Sequence, residues 1–185
     1  MPVKYQVLDR FELPADYSNS RPTIRWFFWI VFGDLLMSSW LPGSLWRRIL
    51  LRIFGASIGH GVLLKPNIKI KFPWHLCVGE NLWIGENVWI DNLAHVEIGS
   101  NVCISQGVYL CTGNHNFKIA SFPYRLGRID IEDEVWICAM VRIAPSVRVG
   151  RGSVIEFGSV VYDSIPSGMI AKGIPAVPIR RRDIT

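Results

Sequence analysis

The chain has 185 residues, half of them hydrophobic, with 20 Lys and Arg against 15 Asp and Glu for a formal charge of +5. That length buries one sizeable core but not two full domains, so one domain with an appendage is expected. The positive balance suits anionic ligands or a lipid surface; the basic residues gather at Arg47–Arg52 and Arg180–Arg182 without the aromatic-interleaved stripe of a nucleic-acid reader, and that class is set aside.

At the N-terminus, MPVKYQVLDRFELPADY carries acidic residues and no early apolar stretch, so it does not read as an exported leader and a cytoplasmic location is the default. Residues Trp26–Leu41 are apolar but number sixteen and include Asp34. A spanning helix needs about 20 apolar residues, so a membrane pass is not expected. After the Leu41-Pro42-Gly43-Ser44 break, Leu45–Phe54 interleaves apolar residues with arginines, a pattern that can lie in a membrane interface. Alternatively both helices cover the open end of the repeat that follows, since a solenoid needs a terminal cap. The cap is favoured, with peripheral contact at the inner face of the membrane compatible with it.

From Ile58 onward a six-residue rhythm dominates. Its aliphatic positions are Ile58, Leu64, Ile70, then Val78, Ile84, Ile90, then Ile98, Ile104, Leu110, then Ile131, Ile137, Ile143, Val149, Ile155 and Val161. Ile, Leu and Val fill 54 of the 185 positions, so chance would not place them in all fifteen. A second apolar residue usually stands two positions earlier, as at Val62, Leu82, Val102 and Val135, which reads as a short in-out-in strand. Three positions after the aliphatic come Gly61, Asn67, Asn81, Asn87, Asn101, Gly107, Gly113, Gly152 and Gly158, residues that tolerate positive φ and suit a tight corner. Short strands joined by tight corners make an all-β solenoid.

The blocks Ile84-Gly85-Glu86-Asn87-Val88-Trp89, Ile98-Gly99-Ser100-Asn101-Val102-Cys103 and Val149-Gly150-Arg151-Gly152-Ser153-Val154 resemble the hexapeptide-repeat acyltransferases. The segments RPTIRWFFW, LPGSLWRRILLRIFGASIG and IKFPW narrow the resemblance to the colanic-acid and exopolysaccharide acetyltransferase subgroup. The resemblance implies a left-handed parallel β-helix with three faces per coil and a homotrimer with intersubunit active sites. On this reading residues 1–55 form an N-terminal helical extension, 56–166 the catalytic β-helix with a loop insertion near 112–130, and 167–185 a C-terminal loop and short basic tail.

The rhythm breaks three times. The steps Ile70 to Val78 and Ile90 to Ile98 are eight residues, and Leu110 to Ile131 is twenty-one. These breaks follow the third, sixth and ninth blocks, so with three faces per coil they leave one corner of successive coils. An edge that bulges repeatedly is a candidate functional edge. Each break carries a histidine: His75, His95 and His115. A metal site of the gamma-carbonic-anhydrase kind is one reading of them. Coils about 4.8 Å apart put His75 and His115 roughly 10 Å apart, too far to share an ion within one subunit. The second histidine of that branch's pair is also missing, with Ala120 in its place. No metal is expected. The segment Cys111-Thr112-Gly113-Asn114-His115-Asn116 is similar to the one that holds the catalytic histidine of sugar acetyltransferases, which implies His115 as general base. Asn116 stands where an acidic residue often follows that histidine, so its orienting partner is not evident from the sequence. Asn92, one coil earlier, resembles an acceptor-contacting asparagine; a purely conformational corner role is the alternative.

The stretch Ile131–Ala139 is similar to the family's donor-groove segment, implying that Trp136 and Ala139 line a cleft for acetyl-CoA between subunits. Phe157 of Phe157-Gly158-Ser159-Val160-Val161, and Arg180 after Gly173-Ile174-Pro175-Ala176, join them as donor-contacting candidates. Cys138, Met140, Phe157, Tyr162-Asp163 and Val177 depart from the family's usual residues. The four cysteines lack CxxC spacing and read as reduced packing residues. The reading is an acetyl-CoA-dependent O-acetyltransferase acting on a sugar or exopolysaccharide precursor. The alternatives are a catalytically silent β-helix scaffold and a gamma-carbonic-anhydrase-like metalloenzyme.

Overall fold

The computed structural model describes residues 5–13 and 23–184. A 3-10 turn at Leu8–Arg10 comes first, and then a helical run: Thr23–Phe28, one π turn at Trp29–Gly33, and Asp34–Met37. The helix Leu45–Ile53 follows, and from Ser57 the chain winds into a solenoid of short strands.

The strands stack into three sheets of parallel pairs, one per face of a prism. The first face stacks Ser57–Ile58, Leu76–Val78, Val96–Ile98, Ile129–Ile131 and Arg148–Val149. The second runs from Leu63–Leu64 through Trp83–Ile84, Cys103–Ile104, Trp136–Ile137 and Val154–Ile155 to Met169–Gly173. The third holds Lys69–Ile70, Trp89–Asp91, Tyr109–Cys111, Arg142–Ile143 and Val160–Val161. Registers such as Ile84 opposite Ile104 opposite Ile137 put each aliphatic directly over the next. All fifteen rhythm positions are buried in one continuous core. Most blocks therefore bury two apolar residues that flank one outward residue, as Val62 and Leu64 flank Leu63, and then turn a corner.

At the corners, Asn67, Asn81, Asn87, Asn101, Gly61, Gly107, Gly152 and Gly158 take positive φ as expected. Gly113 does not: it lies in a strand of the hairpin Gly113–His115 and Tyr124–Leu126, outside the corner series. Glu134, Met140 and Ser146 occupy left-handed corners without being Gly or Asn, so the stacked coils impose the conformation there against local preference.

The first coil's outer edge is satisfied by side chains of the helical segment, one for each face. Arg52 donates to the Ile58 carbonyl at 2.6 Å. The Ser44 hydroxyl accepts from the Leu64 N–H at 3.0 Å and donates to the Leu64 carbonyl at 3.2 Å. The Trp29 indole N–H donates to the Ile70 carbonyl at 3.0 Å. An open sheet edge is otherwise a template for pairing with another chain, and these contacts close it. Arg47 is buried beside them and donates to the Gly43 and Ser39 carbonyls, which staples the link between the two helices. At the other end the strand Ala176–Arg181 folds back antiparallel on Met169–Gly173. Pro178 lies in that last strand, where its missing N–H costs least.

Candidate functional site

The three insertions all leave the third face and rejoin the first, and they are built on one another. Asn92 in the second insertion is fully buried; its amide oxygen accepts from the Phe72 N–H at 2.9 Å and its amide nitrogen donates to the Phe72 carbonyl at 2.6 Å. Thr112 at the base of the third is buried likewise, accepting from the Ala94 N–H at 2.9 Å and donating to the Asp91 carbonyl at 3.0 Å. Phe72 and Leu93 form a second small hydrophobic cluster with Trp26, Trp74, Tyr124 and Leu126 packed on it. Gly113 packs closely on this cluster, since a Cβ there would meet Leu93 Cδ1 at 2.4 Å and the Leu93 side chain would have to shift. The two short insertions are thus the foundation of the long one.

On that foundation His115 stands at the end of the hairpin strand, directly opposite Tyr124. Its Nδ1 lies 2.8 Å from the Phe122 carbonyl. A carbonyl only accepts, so Nδ1 carries the proton of the neutral ring and Nε2 is left as the basic nitrogen. The Phe122 ring stacks on the imidazole at 4.2 Å and 8°, Tyr124 lies at 4.6 Å, and Phe11 approaches at 5.9 Å from the N-terminal segment. Phe122 has φ of 52° although it precedes Pro123, a conformation that aromatic and pre-proline residues both resist. Such strain is held by surrounding structure, here to aim a carbonyl at Nδ1. The orienting partner of His115 is therefore a backbone group and not the side chain after it. Val7 N–H donates to the Ala120 carbonyl at 2.8 Å, tying the segment that carries Phe11 to the same loop. Sequence reasoning missed Phe11 and Phe122: nothing local marks a contact across a hundred residues or a left-handed phenylalanine. Thr112 sat inside the motif around His115 but carried no separate signal.

His75 and His95 pair at the same corner with ring centroids 4.7 Å apart. Burial first, then the neighbouring His95, pushes the His75 imidazole below its ordinary value. Among the described residues, no three His, Cys, Asp or Glu side chains come together as a cradle for a metal ion. The residues present do not fit one. The four cysteines are free thiols, and burial pushes Cys103 and Cys138 up, away from nucleophilic character.

The candidate donor residues lie elsewhere on the prism. Trp136 projects from the second face, with its indole N–H donating to Ser105 Oγ at 3.1 Å. Ala139 and Phe157 occupy successive coils of the corner between the second and third faces, joined by the Gly158 N–H to the Ala139 carbonyl at 3.0 Å. Ala139 is nearly buried, whereas Phe157 is 73% exposed. Arg180 is exposed on the terminal strand opposite Ile170. The third face separates this set from the corner that carries His115. Within one chain the two halves of the expected site are not brought together. Asn114 and Arg125, on the opposite side of the hairpin from His115 and Tyr124, line a hollow of about 400 Å³ with Pro145, Ser146, Tyr162 and Asp163.

No protein-family model matches the sequence. The chain is 36% identical over 179 residues to WcaF of Escherichia coli K12, named as a colanic acid biosynthesis acetyltransferase, with 96% of this chain and 97% of WcaF covered. It is 31% identical over 142 residues to the galactoside O-acetyltransferase of the same organism, covering 72% of this chain and 68% of that one. Among solved structures, a hexapeptide-repeat acetyltransferase of Vibrio cholerae in complex with acetyl coenzyme A superposes with a TM-score of 0.79 at 24% identity, over 92% of this chain and 91% of that one. A galactoside acetyltransferase in complex with coenzyme A gives a TM-score of 0.79 at 25% identity, over 93% and 85%. The fold is the left-handed parallel β-helix of these neighbours. With near-complete coverage of WcaF above 30% identity, the chain belongs to the hexapeptide-repeat acetyltransferases, alongside those named for colanic acid biosynthesis.

Proposed function

We propose that the protein transfers an acetyl group from acetyl-CoA to a hydroxyl of a sugar or exopolysaccharide precursor, with His115 as general base. The observation that carries this reading is the Nδ1 contact to the Phe122 carbonyl, which leaves Nε2 free to accept a proton. A neutral imidazole with that lone pair unengaged can take a proton from a hydroxyl. As the hydroxyl proton moves to Nε2, the acceptor oxygen attacks the thioester carbonyl. The new C–O bond forms, the C–S bond breaks, and the imidazolium returns the proton to the thiolate. A backbone N–H stabilises the tetrahedral oxyanion. The acceptor sits on the Tyr124 side of the hairpin, and Asn92 supports that corner from within.

Trp136, Ala139, Phe157 and Arg180 are proposed to hold acetyl-CoA, the last through forked hydrogen bonds to phosphate. Because these residues and His115 occupy different corners, a complete site joins one subunit's histidine to its neighbour's donor groove, as a homotrimer allows. The location proposed is the cytoplasm, and no metal takes part in the chemistry.

Thiol release from acetyl-CoA, screened against sugar acceptors, tests the reading. Acceptor-dependent release that falls by about a thousandfold in His115→Ala, consistent with the loss of a general base, is expected. A folded His115→Ala protein with full turnover overturns the assignment of the base; no release with any acceptor, and no acetyl-CoA binding, overturns the transferase reading.

A further inference from the structure

The outer surface of the helical cap is apolar. From residue 24 to residue 37 the buried positions among those described are Trp29, Gly33 and Met37, at steps of four, and this stripe faces the solenoid. Trp26 packs on the Phe72 and Leu93 cluster, and the other apolar residues are exposed, among them Phe27 and Leu35; Trp40 beyond them is 81% exposed. In the helix Leu45–Ile53 the buried residues are Arg47 and Leu51, while Leu45, Ile49 and Ile53 form an outward stripe, also at steps of four. A helix that is apolar on both its inner and outer faces belongs against a second apolar phase.

Charge identifies that phase. From residue 24 to residue 79 the cationic residues that are not buried are Arg25, Arg48, Arg52, Lys65, Lys69 and Lys71, of which Lys71 pairs with Asp91, and the one acidic residue of that stretch is Asp34. Arg25, Lys65 and Lys69 are exposed within this stretch, and Arg48 borders the outward stripe. A second copy docking through the same surface would set one cationic patch against another. An anionic bilayer complements both features, because apolar side chains enter the acyl boundary while Lys and Arg meet lipid phosphates. No helix of the described residues is long and apolar enough to cross a membrane, which leaves the interface as the seat.

We propose that the outer surface of the cap, centred on Leu45, Ile49 and Ile53, seats the protein on an anionic lipid bilayer. The inference rests on the cap alone and stands apart from the chemistry at His115. Its test needs no acceptor. The full chain is sedimented with vesicles of phosphatidylglycerol and phosphatidylcholine, and with phosphatidylcholine alone. Binding to the anionic vesicles is expected, weakened at about 0.5 M salt. The variant Leu45→Ser/Ile49→Ser/Ile53→Ser is expected to lower partitioning by about tenfold or more, with melting and circular dichroism unchanged. Absence of binding to any vesicle, equal binding to neutral ones, or undiminished binding by the variant overturns the proposal. So does a variant that only loses mass in analytical ultracentrifugation, which assigns the surface to a second copy. Should the triple variant fail to fold, brominated anionic lipid decides: it is expected to quench wild-type emission and to quench Trp40→Phe less, and no quenching overturns the proposal.

Discussion

Replacing Asn92 by alanine separates two roles that its position alone does not distinguish. Its amide makes two buried hydrogen bonds to the Phe72 backbone, of 2.9 and 2.6 Å, across twenty residues of sequence. The Phe72 carbonyl keeps the His75 N–H at 3.0 Å, but the Phe72 N–H loses its amide acceptor. A buried donor deprived of its partner costs about 1–3 kcal/mol, and the second lost bond adds about 1 kcal/mol. Asn92→Ala should therefore destabilise by about 2–4 kcal/mol. For a chain of this size that is a fall in Tm on the order of 5–15 °C. The assay is thermal and urea unfolding, set beside steady-state thiol release with an acceptor that the wild type uses. With a supporting role, stability falls and the acceptor KM of the protein still folded at low temperature changes by less than about threefold. The reasoning fails if stability stays within about 0.5 kcal/mol of wild type, the range typical of uninvolved surface sites, while the acceptor KM rises tenfold.

Acid sensitivity should centre on His75. Its imidazole is held below the ordinary value by burial and by His95, so below about pH 6.5 the unfolded chain binds more protons than the folded one. This contribution to stability is present above the unfolded pKa and is lost as pH falls from there through the folded one. The urea midpoint should drop further between about pH 7.5 and pH 5 in the wild type than in His75→Gln; equal drops would rule the assignment out. Phe11→Ala removes an edge-on contact with Tyr124 at 5.3 Å and the approach to His115 at 5.9 Å. Aromatic pairs of this kind contribute about 0.5–1.5 kcal/mol, so kcat should fall roughly three- to tenfold with a drop in Tm of about 1–6 °C. Phe11→Tyr should retain the rate, and an Ala variant at wild-type kcat would show that the N-terminal segment does not position the histidine.

The solenoid was legible in the sequence because its cause is local and repeated. An inward aliphatic at Ile58, Leu64 and every later rhythm position, with a corner residue three places on, leaves its mark in each block, and the core buries all fifteen. The phase of the three breaks was legible for the same reason, and with the three faces per coil that the family resemblance implies it placed His115 on the edge where the insertions meet. What the sequence could not carry is how one insertion bears on another. Asn92 on Phe72, Thr112 on Ala94 and Phe11 on His115 are contacts across 20, 18 and 104 residues. Their partners are backbone groups and ring faces, which impose no residue pattern. The left-handed Phe122 is of the same kind, since local preference argues against it and only the packed hairpin holds it. Stacking also forced Glu134, Met140 and Ser146 into corners that composition would assign to Gly or Asn. Periodicity determined a solenoid of short strands; the tertiary structure decided its three faces, and the folding of three insertions onto one corner decided which nitrogen of His115 is free and set it on a different corner from the candidate donor residues.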